Sequence, residues 1–193
     1  MNPSLPHRHR PLAPAIAACL ALAAIGPCAH AAYDNVLNCN DTGSGSLRDT
    51  VANAATGDAV VLNPVTMQCM ASTRGSGVRG VPQTDLTIKY NGNNANRFIL
   101  TGSNHRIFHH AGTGKLTLQR LTLQFGKATD ADATPIVTGK YTSNAVLGGC
   151  VYSAGVVDLE RSQVKYCSVS SSSIGMRGGI GAMNRVIMNN GSL

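Results

Sequence analysis

The sequence is poor in charged and aromatic residues: 13% of its 193 residues are charged, and tryptophan is absent. No C-x-x-C pair occurs, which argues against a structural zinc site. The G-x-S-x-G motif and the complete phosphate-loop signature are also missing, so neither a serine hydrolase of that type nor a P-loop enzyme is indicated. Basic residues stand singly rather than in runs, so we expect no nucleic-acid partner.

Glycine is frequent, with 21 residues, and threonine, asparagine, serine and valine are also plentiful. This composition suits many short strands joined by tight turns better than it suits helices. The sequence therefore predicts an all-β protein.

Residues 1–31 have the features of a secretory signal peptide. A basic segment at 7–10 precedes an apolar stretch at 12–25, and Ala29-His30-Ala31 fits an A-x-A cleavage site. The apolar stretch is short for a membrane anchor, and prolines interrupt the stretch that a lipoprotein signal at Cys19 would need. We therefore predict export to the cell exterior, the outer-membrane surface or the periplasm. No transmembrane segment is expected after cleavage.

Four cysteines follow the predicted cleavage site: Cys39, Cys69, Cys150 and Cys167. An even number of cysteines in an oxidising compartment favours disulfides over metal binding. Four cysteines allow three pairings, and proximity in sequence favours Cys39 with Cys69 and Cys150 with Cys167. No cofactor is predicted.

Residues 32–64 read as an N-terminal cap. Ser46 followed by Asp49 resembles a capping box, and apolar positions then fall on one helical face over about 47–55, with Gly57 as a stop. A buried strand at 59–62 follows. We expect the helix to cover the open end of a sheet, with Arg48 on its outer face.

From residue 65 onward, short alternating segments repeat. Gly112 to Gly126 matches Ser153 to Cys167 at an offset of 41, and a glycine pair restarts the pattern at Gly178, 30 residues after Gly148. Further strands are predicted at 86–88, 98–100 and 106–108, while 69–81 and 127–145 read as loops, the second as an insertion. Variable offsets without intervening helices favour a parallel β-solenoid over residues 65–193. A sandwich of hairpins is the alternative, but Asn-Gly turns are scarce.

The chain resembles exported bacterial right-handed parallel β-helix proteins of pectin-lyase-like fold, including polymorphic outer-membrane proteins and autotransporter passengers. The resemblance rests on Gly45-Ser-Leu-Arg48, Asp85-Leu-Thr-Ile88, Leu121-Thr-Leu123 and Gly148-Gly-Cys-Val-Tyr152. It implies an all-β, right-handed parallel β-helix with a short capping α-helix. The abrupt end after one partial repeat reads as a truncation.

Few residues are candidates for chemistry. Asp130 and Asp132 are close enough for a weak calcium site, although a solvated loop is the favoured interpretation. His105 and His109, if they lie on one extended strand, are about 13 Å apart, which is too far for one metal. Together with His110 they read as surface histidines. The segment from Gly112 to Lys115 reads as a strand entry rather than a phosphate loop.

No catalytic residue is therefore assigned. The sequence favours a non-catalytic secreted or surface-exposed β-helix protein, either adhesin-like or a structural scaffold, whose partner is a cell-surface glycan or protein. A polysaccharide lyase or glycoside hydrolase with its catalytic residues outside this chain is one alternative. A truncated remnant without independent function is the other.

Overall fold

The computed structural model describes residues 31–65, 72–75, 78–92, 98–138, 141–171 and 176–189. In these ranges the protein is mostly β-structure, with one α-helix and one short 3-10 turn at Asp130–Asp132. Apart from Ala31, the predicted signal peptide lies outside the described residues, and so does Cys69.

One helix and nineteen strands make up the described regular structure besides that turn. The helix, α1, is Leu47–Asn53. The strands are β1 Tyr33–Val36, β2 Ala59–Leu62, β3 Ser72–Gly75, β4 Val78–Val81, β5 Leu86–Tyr90, β6 Phe98–Gly102, β7 Phe108–His110, β8 Lys115–Gln119, β9 Leu121–Gln124, β10 Lys127–Ala128, β11 Thr134–Thr138, β12 Tyr141–Leu147, β13 Val151–Ser153, β14 Val156–Glu160, β15 Gln163–Lys165, β16 Ser168–Val169, β17 Met176–Arg177, β18 Ile180–Ala182 and β19 Arg185–Asn189.

Three parallel sheets organise the strands. Sheet A has the order β1-β2-β5-β8-β14-β19, sheet B has β3-β6-β9-β15, and sheet C has β4-β7-β13-β18. From β2 onward the chain visits sheets A, B and C in the same order each time, and we call one such passage a circuit. Equivalent positions of successive circuits therefore lie side by side.

The sequence repeat at an offset of 41 is also the pairing register of the strands. Val157 pairs with Leu116 in sheet A, and Val164 pairs with Leu123 in sheet B. The predicted restart at Gly178 is out by one residue, because Val151 pairs with Ile180, 29 positions later. The repeat thus reports which residues stack on one another.

The core is formed by side chains from one face of each sheet. Leu116, Leu118, Leu121 and Leu123 of one circuit are fully buried and belong to a cluster that runs from Val36 to Leu159. Strict alternation along β5 and β6 buries every second side chain. Burial of this kind contributes roughly 1.5–3 kcal/mol for each large aliphatic side chain.

The predicted helix exists but ends at Asn53, two residues earlier than expected. The Ser46 side chain accepts a hydrogen bond from the Asp49 backbone N–H, and the Asp49 carboxylate accepts one from the Gly45 N–H. The Gln83 amide donates to two carbonyls at the C-terminal end of the helix, those of Val51 and Ala54. These bonds satisfy groups that a helix end otherwise leaves unpaired.

Several sequence predictions about the strands are wrong. A strand, β1, precedes the helix and pairs with β2, so the helix does not come before the first strand of the sheet. The segment 69–81, predicted as a loop, contains β3 and β4, because ladder hydrogen bonds do not require apolar side chains. The strand predicted at 106–108 lies instead at Phe108–His110.

The insertion predicted at 127–145 is ordered structure rather than a loop. It contains β10, the 3-10 turn and an antiparallel pairing of β11 with β12, in which Thr134 lies opposite Ala145. β12 then pairs in parallel with β17. The change of strand direction explains why the segment does not follow the periodicity of the neighbouring circuits.

A disulfide joins Cys150 to Cys167, one of the two pairings that proximity favours. Cys150 is fully buried, and its carbonyl accepts hydrogen bonds from the backbone N–H groups of Ile107 and Phe108 in the preceding circuit. Cys39 is also disulfide-bonded. Its predicted partner, Cys69, lies outside the described residues.

Candidate functional site

The corners that follow β8 and β14 turn through residues in a left-handed conformation. Arg120 has φ 55° and Arg161, at the equivalent position of the next circuit, has φ 51°. Strand alternation alone would point both side chains into the core, and the left-handed backbone turns them away from it. The conformation costs a non-glycine residue roughly 1–2 kcal/mol.

Backbone and side-chain hydrogen bonds hold these corners in place. The Arg120 N–H donates to the Glu160 carbonyl of the next circuit at 2.9 Å. The buried Ser162 hydroxyl donates to the Leu118 carbonyl at 2.9 Å and accepts from the Leu121 N–H at 3.0 Å. Neighbouring corners are therefore fixed to each other, and their two arginines lie at equivalent positions.

A polar groove of about 320 Å³ lies along these corners. We call it the corner groove. It is lined by Lys89, Tyr90, Asn91, Gln119, Arg120, Glu160 and Arg161.

Three cations and one carboxylate face the corner groove. Glu160 accepts a hydrogen bond from the Gln119 amide at 2.8 Å, and Arg120 donates to the Gly92 carbonyl at 3.3 Å. The Lys89 ammonium lies 4.2 Å from the centre of the Tyr33 ring. The excess of positive charge, together with amide groups, makes the groove suited to an anionic, hydroxyl-rich ligand.

A second pair of left-handed corners lies at the far end of β9 and β15. Phe125 has φ 55° and Tyr166 has φ 56°. Their rings stack with centroids 5.2 Å apart and an interplanar angle of 14°, and they remain 51% and 69% exposed. We call them the aromatic pair. Phe98 and Phe108 are buried, whereas Phe125 is exposed.

No protein-family model, no curated protein and no solved structure matches this chain.

The two aspartates considered for calcium have protein partners. The Asp132 carboxylate accepts from the Thr129 N–H at 3.0 Å and lies 3.7 Å from the Arg106 guanidinium. The Asp130 carboxylate accepts a hydrogen bond from the Ser171 hydroxyl. Both residues belong to a 3-10 turn, in which Asp130 is exposed and Asp132 is half-buried. Within the described ranges no cluster of three or more His, Cys, Asp or Glu residues is placed to hold a metal.

The three histidines are not a surface group. His110 is fully buried, with Nδ1 2.7 Å from the Ser153 hydroxyl and Nε2 2.9 Å from the Gln83 carbonyl. Because a carbonyl only accepts, Nε2 carries the proton and Ser153 donates to Nδ1. His110, in β7, therefore connects β13 and the segment that follows β4. His105 precedes β7, so it does not share a strand with His109.

Two other candidates occupy the places that the sequence predicts. Arg48 pairs with Asp41 at 3.2 Å on the outer side of α1. Lys115 begins β8, and its backbone N–H donates to the Asp85 carboxylate at 2.7 Å. Neither helical segment in the described part of the chain has the length and apolar character that crossing a membrane requires.

Arg106 is a buried residue that sequence reasoning missed. It is 2% exposed and donates to the carbonyls of Leu147, Gly148 and Asp132 at 2.7, 3.0 and 3.2 Å. Its guanidinium also lies 5.3 Å from the centre of the Tyr152 ring. Arg106 therefore joins the insertion to sheet C. An isolated arginine after a short polar turn gives no signal of this in the sequence.

The stability of the fold should depend on pH through His109. Burial lowers the pKa of His109 below its ordinary value of 6.5, the positive charge of Arg106 lowers it further, and Asp132 opposes them. The unfolded chain therefore binds a proton near pH 6.5 that the folded chain resists, so stability falls as the pH drops through that value. Urea unfolding at about pH 7.5 and about pH 5.5 measures this change, and we expect His109→Gln to reduce it. An equal change in the variant would contradict the assignment.

Proposed function

We propose that the protein is an exported, non-catalytic scaffold built as a right-handed parallel β-helix, and that its corner groove binds an acidic glycan. The cyclic order of sheets A, B and C and their parallel pairing support the β-helix. Parallel crossovers are almost always right-handed, which supports the handedness. The signal-like segment at 1–31 supports export.

The observation that carries the binding proposal is that Arg120 and Arg161 occupy equivalent corners of two adjacent circuits. The register of 41 residues places one guanidinium-bearing corner beside the other, and Lys89 adds a third cation to the same groove. A polymer with a carboxylate on each sugar presents anions at regular intervals. A row of cations at successive circuits can meet such a polymer at more than one sugar, which raises the overall affinity.

Polygalacturonate, with dextran as a neutral control polymer, tests this function. We expect the protein to bind polygalacturonate and not dextran, and to lose most of that binding when the ionic strength rises from about 0.05 M to about 0.5 M. The Arg120→Asn/Arg161→Asn variant should bind at least about tenfold more weakly. Asparagine tolerates the left-handed backbone, so the corners should keep their shape.

A control variant separates the groove from general electrostatic attraction. Arg48→Gln/Arg185→Gln removes the same number of positive charges from sites outside the corner groove. An equal loss of binding in both variants would show that net charge alone attracts the polymer. Assaying the mixtures for new reducing ends and unsaturated sugars checks the non-catalytic part, because either product would contradict it.

A further inference from the structure

The aromatic pair is an exposed feature that the corner groove does not explain. Phe125 and Tyr166 are separated by β9 or β15 from Arg120 and Arg161, a path of about 16 Å along an extended strand. Their rings are stacked, yet more than half of each side chain remains in contact with solvent. Apolar ring surface left in water on two successive circuits needs a physical reason.

The backbone conformation of Phe125 and Tyr166 is also unusual. A left-handed conformation is usual for glycine or asparagine and rare for a bulky aromatic residue. Here it occurs at equivalent positions of two circuits and turns the rings outward. The strand alternation would have placed them inward, beside the buried Leu123. The exposed rings therefore come at the cost of an unfavourable backbone conformation and of lost burial. Backbone strain of this kind is associated with binding sites.

The surroundings of the rings are polar. Gln124 is half-buried and donates to the Thr101 hydroxyl at 3.5 Å, and Lys165 is exposed with its ammonium 6.0 Å from the centre of the Tyr166 ring. A sugar ring has the complementary character, with an apolar face of C–H groups and a rim of hydroxyls. A flat aromatic face with hydrogen-bonding groups at its edge fits such a ring better than it fits a protein partner, which needs a larger apolar surface.

We propose that Tyr166, backed by Phe125, is a stacking platform for one sugar ring of a glycan. The inference rests on the proposed function only in taking the ligand to be a glycan, because stacking requires no charge on the sugar. The platform and the corner groove lie at opposite margins of the outer face of sheet B. A glycan that crosses this face would meet both.

The absence of tryptophan makes a direct test available. Tyr166→Trp creates the single tryptophan of the chain, so its emission reports on this position alone. Titration with cellohexaose, xylohexaose, mannohexaose and hexagalacturonate should shift or quench that emission for at least one of them. For a neutral sugar, we expect an apparent Kd that changes little with salt, because no ion pair is formed.

Matched variants at the two pairs of left-handed corners identify the site. With the responding saccharide, Phe125→Asn/Tyr166→Asn should weaken binding about tenfold in calorimetry, while Arg120→Asn/Arg161→Asn should weaken binding of a neutral sugar less. Both variants place asparagine in the same backbone conformation, so unequal losses cannot come from strain.

The outcomes distinguish the two proposals. No change of emission with any of the four saccharides at millimolar concentration would overturn the platform, whatever the groove does. If hexagalacturonate alone changes the emission, binding that is lost in the arginine variant and kept in the aromatic variant would overturn the platform and leave the groove standing. The reverse result would support the platform and contradict the groove.

Discussion

Replacing Arg106 with methionine is expected to lower the free energy of unfolding by about 3 kcal/mol, because three carbonyls lose their charged donor and the Asp132 carboxylate loses its ion-pair partner. The carbonyls of Leu147 and Gly148 lie within 3.0 Å of the guanidinium in a buried setting, where water cannot replace it well. Urea unfolding measures the loss. Hydrogen exchange should also quicken in β11 and β12, which Arg106 joins to sheet C.

Two further variants interpret this result. Arg106→Lys keeps the charge but not the planar fork of donors. We therefore expect its loss in free energy of unfolding to exceed half of the loss in Arg106→Met. Arg48→Met removes a surface ion pair with Asp41 and should cost less than about 1 kcal/mol. If Arg106→Met were no more destabilising than Arg48→Met, the central role of Arg106 in holding the insertion would be wrong.

Breaking the disulfide between Cys150 and Cys167 is expected to cost about 3 kcal/mol, the value for a closed loop of this size. The bond links the start of β13 to the corner after β15 and therefore restrains one whole circuit. Cys167→Ala is the informative variant, because it removes the cross-link while the buried Cys150 sulfur still fills its place in the core.

The measurement is urea unfolding under non-reducing conditions, with mass spectrometry to verify that Cys150 stays a free thiol. Cys150→Ala/Cys167→Ala should lose more stability than Cys167→Ala, since it also leaves a small cavity. Equal stability of wild type and Cys167→Ala would mean that the folded contacts already hold this circuit without the cross-link.

The parts of the fold that could be predicted from the sequence are the strands whose paired neighbour has the same alternation of apolar and polar residues. Leu116 to Phe125 and Val157 to Tyr166 match because the same side-chain positions face the core in both circuits. β1 was not predicted because Asp34 and Asn35 make its sequence polar, although its partner β2 is apolar on both faces.

The candidate sites were harder to predict than the strands. Arg120 and Arg161 appear in the repeat and line an external groove, as expected of charged side chains, whereas Phe125 and Tyr166 continue an alternation that would bury them. The left-handed backbone turns these two rings outward, and phenylalanine and tyrosine do not indicate such a conformation as glycine does. The candidate binding residues of this protein therefore lie at corners where the backbone breaks the strand alternation.

The circuits differ in length without losing their alignment. β8 and β14 are paired at a separation of 41 residues, β7 and β13 at 43, and β6 and β9 at 23. Within the described ranges the surplus residues lie at corners, as the β11–β12 hairpin illustrates. Over evolutionary time such a chain can gain or lose whole peptides at a corner while each strand keeps its neighbours. For an engineer, the same property offers a site between β11 and β12 where a foreign peptide could be inserted and displayed without changing the three parallel sheets.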